Sequence, residues 1–304
     1  MSIEGNMITA RFLPLADSEP IAITRAILQE KYLPRVGTYL EFDCWDLNLA
    51  TSIQPRCWYL NFDNVDLMYL YELIVMNDSW EDYLISYYHP GSFSKRGYLE
   101  LRDKFNSSPS YTHHASGQGK KISEMRDRSA MFYYLARLCY QHRPRYSRKK
   151  EFNAAYRSMT SPLPSELQDC IPSIQAFRKW FDPAMERVLF SKYDFDSFLS
   201  AYHQADSQRL SSLWGGKPGK GDVVKIKVSP FEMQFIRKKL DPLIKDGATI
   251  VLTTSITNGS NDYPTYQQAL SLLEKEGDSI KVECFQMRKK YTLLAVYNPC
   301  TEPS

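Results

Sequence analysis

Apolar and polar positions alternate in different ways along the chain. Over residues 20–32, Ile21, Ile23, Ala26, Ile27 and Leu28 recur near the helical period, which predicts a helix. Gly37 breaks this pattern. Residues 38–42 then read as a short strand, and residues 57–62, rich in aromatic and apolar side chains, as a second. Asp66 stands where a cap would open a helix carrying Leu67, Leu70, Leu73 and Ile74. Strand, strand and helix in this order predict an α/β sheet.

The middle of the chain is different. Residues 80–205 carry mostly helical periodicity with polar interruptions. Residues 107–121 lack any period and read as a loop. Residues 129–140 form a strongly apolar helix, and a second is expected over 173–180, after Pro162 and Pro164. A strand over 188–190 and a helix over 195–205 follow. Beyond a glycine-rich stretch at 214–221 the alternation returns. Strands are predicted over 222–228 and 248–253, and helices over 230–244 and 266–276, the first opened by Pro230 and the second closed by Gly277. Residues 280–287 and 291–297 read as a terminal hairpin. No internal repeat is present. The expected organisation is a sheet domain over 1–79 and 187–304, split by a helical, partly basic insert over 80–186.

Composition narrows this picture. The chain has 304 residues, 43% of them hydrophobic, enough to bury a core of normal size. Its 13 glycines against 21 tyrosines leave few places where backbone can lie close to a phosphate or cofactor. Six cysteines occur, none spaced as CxxC, which argues against a zinc knuckle or a disulfide framework. No apolar run is long enough to cross a membrane, and nothing in residues 1–11 resembles a signal-peptide core, so a reducing, cytoplasmic setting is expected.

Candidate chemistry is sparse. GxSxG, HExxH and P-loop motifs are absent. His113 and His114 are adjacent in the polar loop, without the spacing of a helical metal pair; His89, His142 and His203 stand alone. The stretch 214–221 is glycine-rich and basic, but it lacks a GK[ST] ending and precedes a strand, so it reads as a connection. No metal site is expected. The charge distribution is more informative. The whole chain is formally +3. The segment from Arg137 to Arg157 holds seven cations, those two with Arg143, Arg145, Arg148, Lys149 and Lys150, against a single acid, Glu151, for a local net of +6. Tyr140, Tyr146, Phe152 and Tyr156 interleave with them. Cations among planar side chains suit phosphates and bases, although a solvated charged loop has the same composition.

Three segments resemble the Dam-like family of DNA adenine-N6 methyltransferases. Residues 59–71, YLNFDNVDLMYLY, are similar to the family's LNDxNxDLxNLY junction. Residues 132–140, FYYLARLCY, continuing through Arg145-Tyr146 to Glu151-Phe152-Asn153, resemble YYLNRxCYNGLCRYN…FNVPFG, where the family begins its DNA-recognition module. The element order from residue 221 onward resembles the family's catalytic half. The resemblance implies a Rossmann-like methyltransferase sheet with an inserted, mainly helical recognition module. It also implies double-stranded DNA as partner and a bacterial or phage source.

The resemblance equally locates departures from the family pattern. The family's F-x-G-x-G turn, where S-adenosylmethionine lies on bare backbone, falls on residues 39–47. There Glu41 matches an acidic position, but Trp45 replaces glycine. Phe62 stands where an acid should hold the ribose, with Asp63 one residue late. The N-terminal glycine-and-lysine motif has become residues 16–19, ADSE. The catalytic D-P-P-Y becomes Lys227, Val228, Ser229 and Pro230, or the same run shifted by one to Phe231. The family's acid accepts a hydrogen bond from the target amine; a lysine ammonium has no acceptor. A second candidate, residues 108–111 (SPSY), has no preceding strand.

The expectation is therefore a relative that binds DNA without methyl transfer and without S-adenosylmethionine. Its phosphate contacts would be Arg143, Arg145, Arg148, Lys149, Lys150 and Arg157, with Tyr146 stacking on a base. The alternatives are an interaction subunit of a larger assembly, with Trp45 and Phe62 filling the old cleft, and a divergent active methyltransferase that uses the cofactor.

Overall fold

In a computed structural model of the protein, the described residues are 37–45, 47, 50, 55, 57–76, 79–87, 94–108, 122–157, 164–181, 188–204, 222–274, 280–287 and 289–297. The expected helix over 20–32, the stretch 16–19, most of the loop 107–121 and the connection 214–221 lie outside them. The chain divides into two compact units, one holding Asn64–Met185, the other Asp17–Asp63 and Glu186–Ser304.

The second unit is built on a seven-stranded sheet. Its strands are β1 (Thr38–Phe42), β2 (Cys57–Asn61), β3 (Val188–Ser191), β4 (Val223–Lys227), β5 (Thr249–Thr257), β6 (Ile280–Met287) and β7 (Lys290–Tyr297). Their order is β3-β2-β1-β4-β5-β7-β6. The first five run parallel, and β7 is antiparallel to both β5 and β6. This is a Rossmann-like methyltransferase fold.

Burial explains the sequence pattern of these strands. Leu40, Tyr59, Val224, Ile226, Ile250, Leu252, Leu293 and Ala295 belong to one core cluster. Tyr39, Trp58, Leu60, Val251, Leu294 and Val296, which alternate with them, are also buried. Strands buried on both faces read as continuous apolar runs rather than alternations.

Four helices accompany the sheet among the described residues. They are α6 (Phe195–Gln204), α7 (Met233–Lys239), α8 (Asp241–Lys245) and α9 (Tyr263–Leu273). Phe198, Met233, Leu243, Tyr266 and Leu273 carry them onto the same core cluster. The expected single helix over 230–244 is two helices that meet at Leu240, because Pro242 favours the first turn of a new helix over the interior of an old one. α9 opens three residues earlier than expected, with a proline again in its first turn.

The other unit is helical. It contains α1 (Val65–Met76), α2 (Trp80–Tyr87), α3 (Lys95–Ser107), α4 (Ile122–Leu138) and α5 (Pro164–Phe181). From Ser129 to Leu138 every residue of α4 is buried, so this helix is central, with α1 and α3 packed on it. α5 contacts α1 and α2. Arg178 fixes that packing: its Nε donates to the carbonyl of Ile74 at 2.8 Å, near the end of α1, and its NH2 group donates to Glu81 Oε2 at 2.6 Å.

The boundary expected at 79/80 falls at 63/64, since the buried residues of α1 are spent on the helical unit. The cap of α1 also differs from the sequence expectation. Asn64 Oδ1 accepts from the amides of Asp66 at 2.9 Å and Leu67 at 3.1 Å, and so performs the capping expected of Asp66.

Asp66 is free for another task. Its carboxylate is 4% exposed and meets Arg128, 7% exposed, with Nε to Oδ1 at 2.7 Å and NH2 to Oδ2 at 3.3 Å. NH1 of Arg128 donates to the carbonyl of Phe105 at 3.0 Å and to Ser108 Oγ at 2.7 Å, at the end of α3. The guanidinium also lies 3.9 Å from the centroid of the Phe105 ring. Replacing Arg128 with Leu strands a buried carboxylate, and chemical denaturation should show a loss of about 3–5 kcal/mol. A loss below about 1 kcal/mol would mean that the pair does not hold the unit together.

Candidate functional site: a switch-point crevice and a basic hairpin

In the sheet unit the strand order reverses between β1 and β4. Ligands of open α/β sheets bind outside the carboxyl ends of strands at such a point. Four of the sequence candidates, Glu41, Trp45, Phe62 and Lys227, stand at or beside these ends, but they do not converge. Glu41 is turned into the sheet, 3% exposed. It accepts from Lys225 Nζ at 2.8 Å and from Tyr39 Oη at 2.9 Å, directly across the β1–β4 register. Phe62 is fully buried, its ring 6.1 Å from that of Phe190. Trp45 is half-buried in the turn after β1. Val228 belongs to the core, and its amide extends the β4–β5 pairing to the carbonyl of Thr253. Ser229 Oγ donates to Glu232 Oε2 at 2.6 Å, while Phe231 is 64% exposed.

The end of β2 is closed by one amide. Asn61 Oδ1 accepts from Ser191 Oγ at 2.8 Å and from the amide of Tyr193 at 2.7 Å, and its Nδ2 donates to the carbonyl of Tyr193 at 3.1 Å. All these groups tie β2 to the end of β3.

One residue at the switch point escaped sequence analysis. Asp43 follows β1 with φ +60°, a conformation that Asp tolerates better than most residues. Burial holds its carboxyl above the usual carboxylate range. Lys227 pulls it back down, and Asp63 pushes it up. The signal was an acid at a strand end, but the strand order was needed to bring it beside Lys227.

The helical unit holds the basic candidates. Tyr140–His142 form a 3₁₀ turn after α4 in which Gln141 and His142 have φ +56° and +50°. The family pattern places Asn-Gly at these two positions, the pair that enters left-handed backbone most readily. Residues 145–153 then form a hairpin. Tyr146 pairs with Phe152, and the amides of Ser147 and Asn153 donate to the carbonyls of Glu151 and Arg145 at 2.7 and 2.9 Å. Its tip is a turn closed from the amide of Lys150 to the carbonyl of Ser147 at 2.9 Å, with Lys150 at φ +62°. Ser147 Oγ also accepts from the amides of Lys149 and Glu151.

This ordered tip presents Arg148, Lys149 and Lys150, all exposed, with Arg143 and Arg145 exposed on the strand leading into it. Two expected contacts behave differently. Arg157 is half-buried and donates to His142 Nε2 at 2.7 Å. Tyr146 packs edge-on against Phe152, ring centroids 5.6 Å apart, and donates its hydroxyl to Asp66 Oδ2 at 2.8 Å. In that geometry the hydroxyl already has an acceptor, and the half-buried ring packs on Phe152. Arg137, counted in the basic run, is 5% exposed.

A family model for the D12 class of N6 adenine-specific DNA methyltransferases matches residues 49–207. The chain belongs to this family. Among curated proteins none matches the sequence. The matched segment of this D12-family chain contains β2, the helical unit and the hairpin. It ends before β4 and begins after β1, so the two turns at the switch point fall outside it.

Asp43 supplies a test of the crevice geometry. Its raised pKa means that the folded chain takes up the proton before the unfolded one does. Stability from this group therefore rises as pH falls through the folded value toward the ordinary 3.8, and is lower above it. Asp43→Asn should raise Tm at pH 7 and remove that part of the pH dependence in thermal melts. A variant less stable than the parent at pH 7 would show that the carboxylate is needed where it stands.

Proposed function

We propose that this chain is a Dam-like relative that binds double-stranded DNA through its basic hairpin and does not transfer methyl groups. The observation that carries the binding half is the tip itself. Arg148, Lys149 and Lys150 sit on a hydrogen-bonded turn, with Lys150 in a backbone conformation that costs a non-glycine residue about 1–2 kcal/mol. A preformed array of cations neutralises phosphates with little ordering cost. The aromatic residues of the segment favour a duplex over a single strand: Phe152 is buried, Tyr146 and Tyr156 are half-buried and only Tyr140 is exposed, so five cations against one ring face outward.

The second half rests on the switch point. S-adenosylmethionine, the methyl donor that the family implies, needs bare backbone after β1 and an acid after β2, and the target amine needs an acceptor at the end of β4. The side chains there are Trp45, a buried Phe62 and Lys227, and Glu41 is already engaged by Lys225. Trp45 and Phe62 do not fit the donor, and Lys227 offers the amine no acceptor.

A second reading, an interaction subunit without DNA contact, is favoured by one observation. Phe231 and Phe235, both exposed by more than half, lie four residues apart after β4. The DNA experiment separates the two readings. No helix among the described residues is long and apolar enough to cross a membrane.

Fluorescence anisotropy with a labelled duplex should give an affinity that falls steeply with salt. Five exposed cations correspond to a slope of log K against log salt of about −4.5. Replacing Arg148, Lys149 and Lys150 with Ala should reduce its magnitude by about 2.7. Adenine methylation of the same duplex, followed by nucleoside mass spectrometry, should stay at background. Methyl transfer above background, or a duplex that the chain does not bind, would each defeat one half of the proposal.

A further inference from the structure

We propose that Tyr146 is the positioning residue of the basic hairpin, fixing through Asp66 the orientation in which Arg143, Arg145, Arg148, Lys149 and Lys150 meet DNA. This rests on the DNA-binding reading above and assigns a role within the same site.

The two strands of the hairpin are anchored by different groups. The strand after the tip is tied to α3. Asn106 Oδ1 accepts from the amide of Phe152 at 2.8 Å, and Asn106 Nδ2 donates to the carbonyl of Phe152 at 3.1 Å. Tyr98 Oη donates to the carbonyl of Ala154 at 2.8 Å. The strand before the tip carries Arg143 and Arg145, and its side-chain anchor is Tyr146. The hydroxyl reaches Asp66 Oδ2 at 2.8 Å, on an acid that Arg128 already holds in place.

Asp66 lies in the first turn of α1, a location that itself favours a negative charge. The Tyr146 hydroxyl is held protonated, its pKa raised well above the ordinary value by burial and by the Asp66 charge, so it remains a donor. A fixed donor, a fixed acceptor and an enclosed ring leave the strand little freedom to swing. Only Ser147 separates Tyr146 from Arg148. A shift at this anchor therefore moves the strand that leads into the cationic tip, even with the strand after the tip still tied to α3.

The experiment is a double-mutant cycle on the full chain with a labelled DNA duplex. Its corners are the parent, Tyr146→Phe, the triple Ala replacement at Arg148, Lys149 and Lys150, and the two combined. Tyr146→Phe removes one oxygen and keeps the ring packing. It should weaken binding about tenfold and lower the salt-slope magnitude by about 1–2. Added to the triple variant, it should produce no further loss.

Amide hydrogen exchange on Tyr146→Phe should speed up at residues 147–151 and stay unchanged in α4, which separates a loosened hairpin from a loosened fold. Full additivity in the cycle would overturn the proposal, as would parental affinity in Tyr146→Phe or exchange that rises throughout the helical unit. A parent chain that binds no duplex overturns the DNA reading beneath the proposal and the proposal with it. A parent that binds, with Tyr146→Phe indistinguishable from it, overturns this inference alone.

Discussion

The helical unit depends on one buried ion pair. Asp66 and Arg128 are both almost fully withdrawn from solvent, at 4% and 7% exposure. Burying two charges costs several kcal/mol each unless geometry and further hydrogen bonds compensate. Here they do. Both carboxylate oxygens are engaged by the guanidinium, and one also accepts from Tyr146. The remaining guanidinium donors reach the carbonyl of Phe105 and the Ser108 hydroxyl at the close of α3. The start of α1, the end of α3, the middle of α4 and the base of the hairpin thus meet at one pair. Such an arrangement does little for stability compared with a well-packed apolar core. What it supplies is a single geometry for the hairpin, and hence for the cations at its tip.

In the sheet unit the corresponding constraint is a redistribution of charge across the switch point. The position at the end of β4 that the family fills with an acid carries Lys227, and an acid within its electrostatic reach, Asp43, follows β1. Lys225 and Glu41 repeat the cross-strand pairing two residues deeper. Trp45 stands half-buried in the turn after β1, and Phe62 lies inside the core after β2. The family match is confined to residues 49–207, the part of the chain that contains the hairpin.

Much of the sheet was legible from sequence, because strands buried on both faces leave unbroken apolar runs. β1, β2, β4 and the terminal hairpin fall within a few residues of their expected places. Strand order was not legible, and with it went Asp43, which became a candidate only once β1 and β4 were neighbours. Composition also misled at single residues. Glu41 matched a family acid and proved to be a structural ion-pair partner. Asp66 looked like a cap, but Asn64 does the capping. Local sequence likewise cannot show that the Tyr146 hydroxyl has an acceptor 80 positions away. The charge of the basic run was visible from the start. Which of its members face solvent depended on the hairpin register, and that separated five exposed cations from Arg137 and Arg157.

The central claim is that the switch-point crevice no longer holds the family's methyl donor. Isothermal titration calorimetry of the full chain with S-adenosylmethionine tests it most directly. The account predicts no saturable heat up to about 1 mM ligand, a limit that excludes binding stronger than about 4 kcal/mol. A saturable isotherm with one site per chain would contradict it, and would return Asp43 and Lys227 to consideration as residues of a working active site.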